Sequence, residues 1–90
     1  MAESTAPLAL RWTALNETDG TAESYLRINT AANWEQFTGA MRVYVAPSMN
    51  FVYADRAGNI GYFGPGLIPI RAQGNGTFPV PGWDSSHEWN

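Results

Sequence analysis

Apolar and polar positions alternate near the start of the chain. The alternation has the two-residue period of a β-strand and is followed by turn-forming residues over positions 16–20. The apolar side of this extended segment carries Leu8, Leu10, Trp12 and Ala14. The pattern predicts an N-terminal strand that ends in a turn.

The pattern then changes to helical spacing in two segments. Thr21 is expected to cap a short first helix, whose three- and four-residue spacing aligns Ala22, Tyr25, Leu26 and Asn29. Asn33 and Gln36 form a loose capping box for a second helix, which should end by Ala46 because Pro47 follows. The apolar stripe of this second helix consists of Trp34, Phe37, Met41 and Tyr44.

A β-hairpin is predicted next. Phe51 and Tyr53 recur with a period of two, a turn follows at 55–59, and 60–63 forms the returning strand. Gly58 supplies the residue that can take a positive φ in this turn. Beyond the hairpin, glycine and proline are so frequent that only short extended pieces are expected. The fold class is therefore α+β, with one unit over 8–90 and a flexible leader or artificial extension over 1–7.

Composition and charge exclude several kinds of chemistry. The 90 residues carry a net charge of -3, with five arginines spread along the chain. Nucleic acids and anionic membranes require clustered positive charge, so we expect neither as a partner. The chain has no cysteine and one histidine, His87, which excludes thiol catalysis, thiolate zinc sites and histidine-rich metal sites. No apolar run approaches the roughly 20 residues of a membrane span.

An ordered series of short motifs resembles the penicillin acylase family. The resemblance covers about 8–90, and its strength comes from the order and spacing of the motifs. In chain order they are Leu10-Arg11-Trp12-Thr13-Ala14-Leu15, Asn33-Trp34-Glu35, Asn50-Phe51-Val52-Tyr53-Ala54-Asp55, Gly58-Asn59-Ile60-Gly61-Tyr62, Pro69-Ile70-Arg71, Pro79-Val80-Pro81-Gly82-Trp83 and Glu88-Trp89.

The resemblance implies an N-terminal nucleophile hydrolase of αββα fold, which cleaves linear amides such as β-lactam side-chain amides or N-acyl homoserine lactones. It places this chain in the middle of the serine-bearing β chain, without the nucleophilic serine and the oxyanion asparagine. The chain alone is expected to be inactive, to supply scaffold and part of the acyl pocket wall, and to have the remaining acylase chains as partners. Family members are often periplasmic or secreted, although this chain shows no export signal.

The resemblance also implies site residues. Tyr25 and Met49 align with residues that line the acyl pocket, and the alternative that both are ordinary core residues stays equally open. Calcium is possible in the full-length enzyme, where Gly76 or Thr77 would offer one backbone carbonyl. The carboxylate ligands that calcium prefers would lie outside this chain, so we expect the loop to be empty here.

Other charged and polar residues are better explained by structural roles than by catalysis. Asp55, Asp84, His87 and Glu88 could be imagined as an acid/base group, but no nucleophile accompanies them. Asp55 fits a turn residue, His87 an exposed residue near the end, and Arg71 a brace for the glycine-rich loop.

A binding module is the rival hypothesis. Its platform for sugar rings or a hydrophobic peptide would consist of Trp12, Trp83, Trp89, Tyr53 and Tyr62. Unpaired strand edges and aromatics also predict self-association, a homodimer or higher oligomer, if the chain folds alone.

Overall fold

The structure is a computed structural model that describes residues 6–90. It divides into two compact units, one formed by Trp12–Ile68 and the other by the described residues before Trp12 together with Pro69–Asn90. Positions 1–5 of the predicted leader lie outside the described residues.

All helices and strands of the described part belong to the unit Trp12–Ile68. A 3-10 helix, Thr13–Leu15, precedes helices α1 (Thr21–Ile28) and α2 (Trp34–Met41). Strands β1 (Phe51–Ala54) and β2 (Ile60–Phe63) then form a two-stranded antiparallel sheet. The fold class is α+β, as predicted. Neither helix has the length and apolar character that a membrane span requires.

The predicted N-terminal strand is wrong. No residue between 6 and 12 is in a strand, and the 3-10 helix begins where the strand was expected to continue. Leu8, Leu10 and Trp12 are exposed. An extended segment becomes a strand only when its backbone groups pair with another strand. No strand of the described chain pairs with this segment.

The start of α1 differs by one residue from the prediction. Gly20 occupies the cap position, and the backbone N–H of Thr21 donates to Asp19 Oδ1 at 2.9 Å. The Thr21 side chain instead accepts hydrogen bonds from the N–H groups of Val45 at 3.0 Å and Ala46 at 3.2 Å. Thr21 therefore ties the start of α1 to the segment after α2.

The buried face of α1 also differs from the predicted apolar row. Ser24 is fully buried and Ile28 is half-buried, whereas Leu26 is 70% exposed. Helix α1 packs against α2 with Ser24 in the interior and Leu26 in solvent. The tertiary packing therefore decides the buried face of α1, and the apolar pattern of its sequence does not.

Helix α2 begins as the sequence predicts. Asn33 Oδ1 accepts a hydrogen bond from the backbone N–H of Gln36, and Gln36 Oε1 accepts one from the N–H of Ala32, both at 2.8 Å. The helix ends at Met41, before the predicted limit, and the core continues through Tyr44 and the two residues after it. Of the predicted apolar stripe, Met41 and Tyr44 are buried, Phe37 is half-buried and Trp34 is 37% exposed.

The hairpin is confirmed. Phe51 pairs with Phe63 and Tyr53 with Gly61. Asp55 holds the turn, because its Oδ1 accepts from the N–H groups of Ala57 at 3.0 Å and Asn59 at 2.9 Å. The Asn59 side chain and backbone bonds lower the pKa of Asp55 below its usual range.

Gly58 completes the turn at a φ of +88°. This left-handed conformation favours glycine and agrees with its predicted role.

The other unit contains no helix or strand within its described residues. A single antiparallel bridge joins Arg71 to Trp89. Backbone hydrogen bonds on either side of it run from Ala72 to Glu88 and from Asn90 to Ile70. The prediction of short extended pieces in a glycine- and proline-rich region is confirmed.

Candidate functional site

The structure brings the two predicted pocket residues together. Tyr25, in α1, donates its hydroxyl to the sulfur of Met49, with Oη and Sδ 4.0 Å apart. Met49 lies two residues before β1, and its backbone N–H donates to the carbonyl of Pro65 at 3.4 Å. Tyr25 is 42% exposed and Met49 is 44% exposed. Both side chains are therefore partly exposed, unlike fully buried core residues.

Tyr44 packs against Tyr25 on the buried side. Its ring meets the Tyr25 ring edge-on with centroids 5.9 Å apart and contacts the Phe51 ring at 5.7 Å. We call Tyr25, Tyr44 and Met49 the tyrosine–methionine patch. Sequence reasoning assigned Tyr44 only to the stripe of α2. The signal that could have identified it is chemical, since a tyrosine on a buried row brings a hydroxyl that needs a partner.

The hydroxyl of Tyr44 is buried and, like that of Ser24, forms no hydrogen bond of ordinary length and angle with a described residue. Burial in the first place, and then a weaker hydrogen-bond interaction with the neighbouring Tyr25 phenol, raise the pKa of Tyr44 to about 12. The group is therefore a neutral phenol at ordinary pH, able to donate one hydrogen bond.

An aromatic cluster holds the patch in position. Phe37 of α2 contacts Tyr53 at 5.3 Å and Phe51 at 6.3 Å between ring centroids. Trp34 meets Tyr53 at 5.3 Å, and its ring lies directly over Gly61 of β2. Because these contacts fix β1 against α2, they also fix Met49, which leads into β1. The cluster is scaffold for the patch.

The side chains of the patch are suited to apolar contact and not to bond cleavage. The exposed parts of the Tyr25 ring and the Met49 thioether offer packing area to an apolar group. They do not form a nucleophile paired with a base, which amide cleavage requires.

Gly76 lies in the other unit at a φ of +79°, against the guanidinium of Arg71. A Cβ placed on Gly76 would lie 2.7 Å from Arg71 Nη2. Arg71 therefore does contact the glycine-rich loop, as predicted. The backbone N–H of Thr77, the other predicted position, donates to Asn75 Oδ1 at 3.0 Å.

The residues present around Gly76 do not fit a calcium site. Calcium prefers several carboxylate oxygens, and the described chain has no cluster of three or more histidine, aspartate or glutamate side chains. The nearby charge is positive, because the Arg71 and Arg11 guanidinium groups lie over the ring of Trp89 at 5.8 and 4.6 Å from its centroid. Glu88 is already paired with Arg11.

The acidic residues and His87 serve local structure. Ser86 donates its hydroxyl and backbone N–H to Asp84, and these bonds lower the pKa of the Asp84 carboxyl. His87 is half-buried with Nδ1 2.7 Å from Ser86 Oγ, so the expectation of an exposed histidine is wrong. With its proton directed to Asp84, Ser86 is not activated by the histidine as a nucleophile.

The aromatic platform of the rival hypothesis does not form as imagined. Tyr53 faces α2 on the inner side of the hairpin, whereas Tyr62 pairs with Val52 and lies on the outer, exposed side. One flat surface cannot contain both rings.

Comparison with known proteins identifies the class. The acyl-homoserine lactone acylase QuiP of Pseudomonas fluorescens is 37% identical over 83 residues, 92% of this chain and 10% of the relative. Penicillin acylase 2 proenzyme of Pseudomonas sp. strain SE83 is 37% identical over 84 residues, 93% of this chain and 11% of the relative. The class shared by these relatives is that of the acylases.

The family follows from a direct match. The penicillin amidase family model matches 1–90, and the chain belongs to that family. The chain spans about a tenth of the length of the curated relatives it matches. No solved structure matches it.

Proposed function

We propose that this chain is a segment of an acylase-type amidohydrolase and supplies scaffold and part of the acyl pocket wall. The enzyme would cleave linear amides of acylated substrates, such as β-lactam side-chain amides or N-acyl homoserine lactones. The observation that carries the proposal is the contact between Tyr25 and Met49 on a half-exposed surface. The names of the related acylases support the reaction class.

The geometry suits recognition of an acyl group. An apolar acyl chain is selected by how well it packs, at about 1–3 kcal/mol per methylene in a shaped pocket. A ring and a flexible thioether side by side provide such packing, because the thioether adapts to the shape left by the ring. Tyr25 and Met49 would therefore set which acyl length is accepted, while the reacting groups come from the rest of the enzyme.

The hairpin supports the proposed αββα fold. Helix α2 covers one face of the sheet, whereas Val52 and Ile60 on the other face are 83% and 86% exposed. A second layer packed on that outer face would bury these side chains, as an αββα arrangement requires. The remaining chains of the acylase are the proposed source of that layer.

The experiment exchanges the segment. The stretch of the P. fluorescens QuiP acylase matched by this chain is replaced by the present sequence, and kcat/KM is measured for a series of acyl homoserine lactones. Met49→Ala and Tyr25→Ala should each change the ratio of kcat/KM between long and short acyl chains by about tenfold. Leu26→Ala is the matched control, because Leu26 follows Tyr25 in α1, is 70% exposed and does not belong to the patch.

Unchanged acyl selectivity in both patch variants would contradict the proposed pocket wall. The isolated 90-residue chain should hydrolyse none of these substrates, nor phenylacetyl or phenoxyacetyl amides. Turnover by the chain alone would show that it contains a catalytic centre of its own.

A further inference from the structure

The loop that follows Arg71 contains an asparagine followed directly by a glycine. Asn75-Gly76 is the one such pair in the sequence, and 72–80 are exposed throughout and contain no helix or strand. The side-chain carbonyl of an asparagine can be attacked by the backbone nitrogen of the next residue, and glycine hinders that attack least because it has no side chain. This pair therefore offers the least steric resistance to spontaneous deamidation.

The Asn75 side chain already accepts a hydrogen bond at the atom that would gain charge. The backbone N–H of Thr77 donates to Asn75 Oδ1 at 3.0 Å, so the side-chain carbonyl spans Gly76. Attack on Asn75 Cγ would place negative charge on this oxygen, and a donor already directed at it stabilises that charge. Among residues 6–90, no acceptor takes the N–H of Gly76, so the attacking nitrogen is not engaged elsewhere.

A positive charge lies against Gly76. A Cβ placed on Gly76 would lie 2.7 Å from Nη2 and 2.9 Å from Cζ of Arg71. The Arg71 guanidinium forms no ion pair with a carboxylate of the described chain, so its charge is not neutralised there. The Gly76 nitrogen must lose its proton in order to attack, and a positive charge this close favours the anion that results.

We propose that Asn75 is a site of spontaneous deamidation and that the Arg71 guanidinium accelerates the reaction. The Gly76 nitrogen loses its proton to water and bonds to Asn75 Cγ. The bond from Cγ to Nδ2 then breaks, and the amide nitrogen takes up a proton from water and leaves as ammonia. A second water opens the succinimide: breaking the Cγ–N bond gives aspartate, and breaking the bond from nitrogen to the main-chain carbonyl carbon gives isoaspartate.

The product places a carboxylate beside Arg71. It adds one negative charge to the loop, and isoaspartate also lengthens the backbone by one carbon. The new carboxylate gives the Arg71 guanidinium the ion-pair partner that the described chain does not provide. All of these residues belong to the unit that contains Pro69–Asn90, so the reaction needs neither Tyr25 nor Met49.

The experiment follows the modification over time. The full 90-residue chain is incubated at neutral pH and sampled by peptide mass spectrometry, with isoaspartate measured by an isoaspartate-specific methyltransferase. The Asn75 peptide should gain about 1 Da, because a carboxylate replaces an amide. Most of the product should be isoaspartate, which forms only through the succinimide. Asn75→Gln should remove the gain over the same period, because its longer side chain would have to close a less favoured ring.

Asp19-Gly20 is an internal comparison. Asp19 Oδ1 accepts a hydrogen bond from the backbone N–H of Thr21 at 2.9 Å, which is the same turn as at Asn75. Hydrogen bonds from Thr21 lower the pKa of Asp19, so this side chain is an ionised carboxylate at neutral pH and resists attack by a nucleophile. The Asp19 peptide should therefore accumulate far less isoaspartate than the Asn75 peptide.

Variants of Arg71 test the effect of its charge. Arg71→Gln should slow deamidation about three- to tenfold, and Arg71→Lys should keep most of the rate. High salt should narrow the difference between Arg71→Gln and the unaltered chain. A purely structural role would have the opposite sign, because losing the brace would loosen the loop and speed the reaction. Arg56→Gln removes the same charge from an exposed position of the hairpin turn and should leave the rate unchanged.

The site and the role of Arg71 are decided by different results. An Asn75 peptide that stays unmodified, that yields aspartate without isoaspartate, or that forms isoaspartate no faster than the Asp19 peptide would overturn the modification site. An equal or faster reaction in Arg71→Gln would overturn the role of the guanidinium.

Discussion

Gly61 is the position where one added carbon should do most damage to the hairpin. A Cβ on Gly61 would lie 2.5, 2.7 and 2.8 Å from three atoms of the Trp34 ring. Carbon atoms in contact are normally about 3.5–4.0 Å apart, so the ring would have to withdraw by about 1 Å. That movement would loosen its contacts with Tyr53 and Phe37.

Two opposing effects set the change in stability caused by Gly61→Ala. Overpacking costs about 1–3 kcal/mol, whereas replacing glycine by alanine recovers about 0.4–1 kcal/mol through the unfolded chain. We expect Gly61→Ala to lower the free energy of unfolding by about 1–2 kcal/mol, and Tm by about 5–15 °C for a domain of this size. Gly39→Ala is the control, because no atom lies within 4 Å of its Cβ position and α2 gains helix propensity. It should stabilise by about 0.5–1 kcal/mol.

The assay is urea unfolding of the full chain, followed by circular dichroism, with a double-mutant cycle to assign the cause. In a Trp34→Ala background, Gly61→Ala should become neutral or stabilising, since the ring it collides with is gone. A loss of stability that is the same in both backgrounds would refute the reasoning, as would a stabilising Gly61→Ala in the unaltered chain.

Four further predictions concern stability and assembly. Thr21→Val should cost about 2 kcal/mol, because the N–H groups of Val45 and Ala46 lose their acceptor, while Thr21→Ser should stay near the original stability; urea unfolding measures both. Gly58→Val should cost about 1–2 kcal/mol from strain at a φ of +88°, and an unchanged melting temperature would count against the turn. Because the pKa of Asp55 is lowered in the folded state, Asp55 stabilises the fold above its unfolded pKa of about 3.9, and this stabilisation is lost as the pH falls through the folded value. Thermal melts from about pH 5 to pH 2 should therefore show a smaller fall in melting temperature for Asp55→Asn than for the unaltered chain. The exposed outer face of the hairpin should cause self-association, which sedimentation over a hundredfold concentration range detects as a rising mass, whereas a monomer throughout would contradict it.

The hairpin and α2 could be predicted from the sequence because local chemistry determines both. Asp55 and Gly58 fix a turn whatever surrounds it, and Asn33 with Gln36 satisfies the first N–H groups of a helix. The short-range signals agree with the final packing at these places.

The N-terminal strand and the face of α1 could not be predicted in the same way. The alternation at Leu8 and Leu10 lacks a pairing strand in the described chain, and a strand does not form without one. In α1, hydrophobicity favours Leu26 over Ser24, but the packing against α2 selects the smaller side chain for the interior. Such choices depend on partners distant in the sequence.

The candidate site shows the same division. The family resemblance was enough to select Tyr25 and Met49. Tyr25 lies in α1 and Met49 just before β1, and their Oη and Sδ atoms are 4.0 Å apart. Tyr44 could not be singled out, because its ring contacts with Tyr25 and Phe51 are visible only in the packed structure. The contact of Arg71 with the glycine-rich loop was predicted, and the structure adds that the guanidinium lies where a Cβ of residue 76 would be.

The most direct test of the central claim is a crystal structure of the exchanged QuiP acylase with a slowly cleaved phenoxyacetyl amide bound. We predict that the acyl group contacts the Tyr25 ring and the Met49 thioether within about 4.5 Å, the limit for apolar contact. An acyl group that touches neither side chain would contradict the assignment of this segment to the acyl pocket wall.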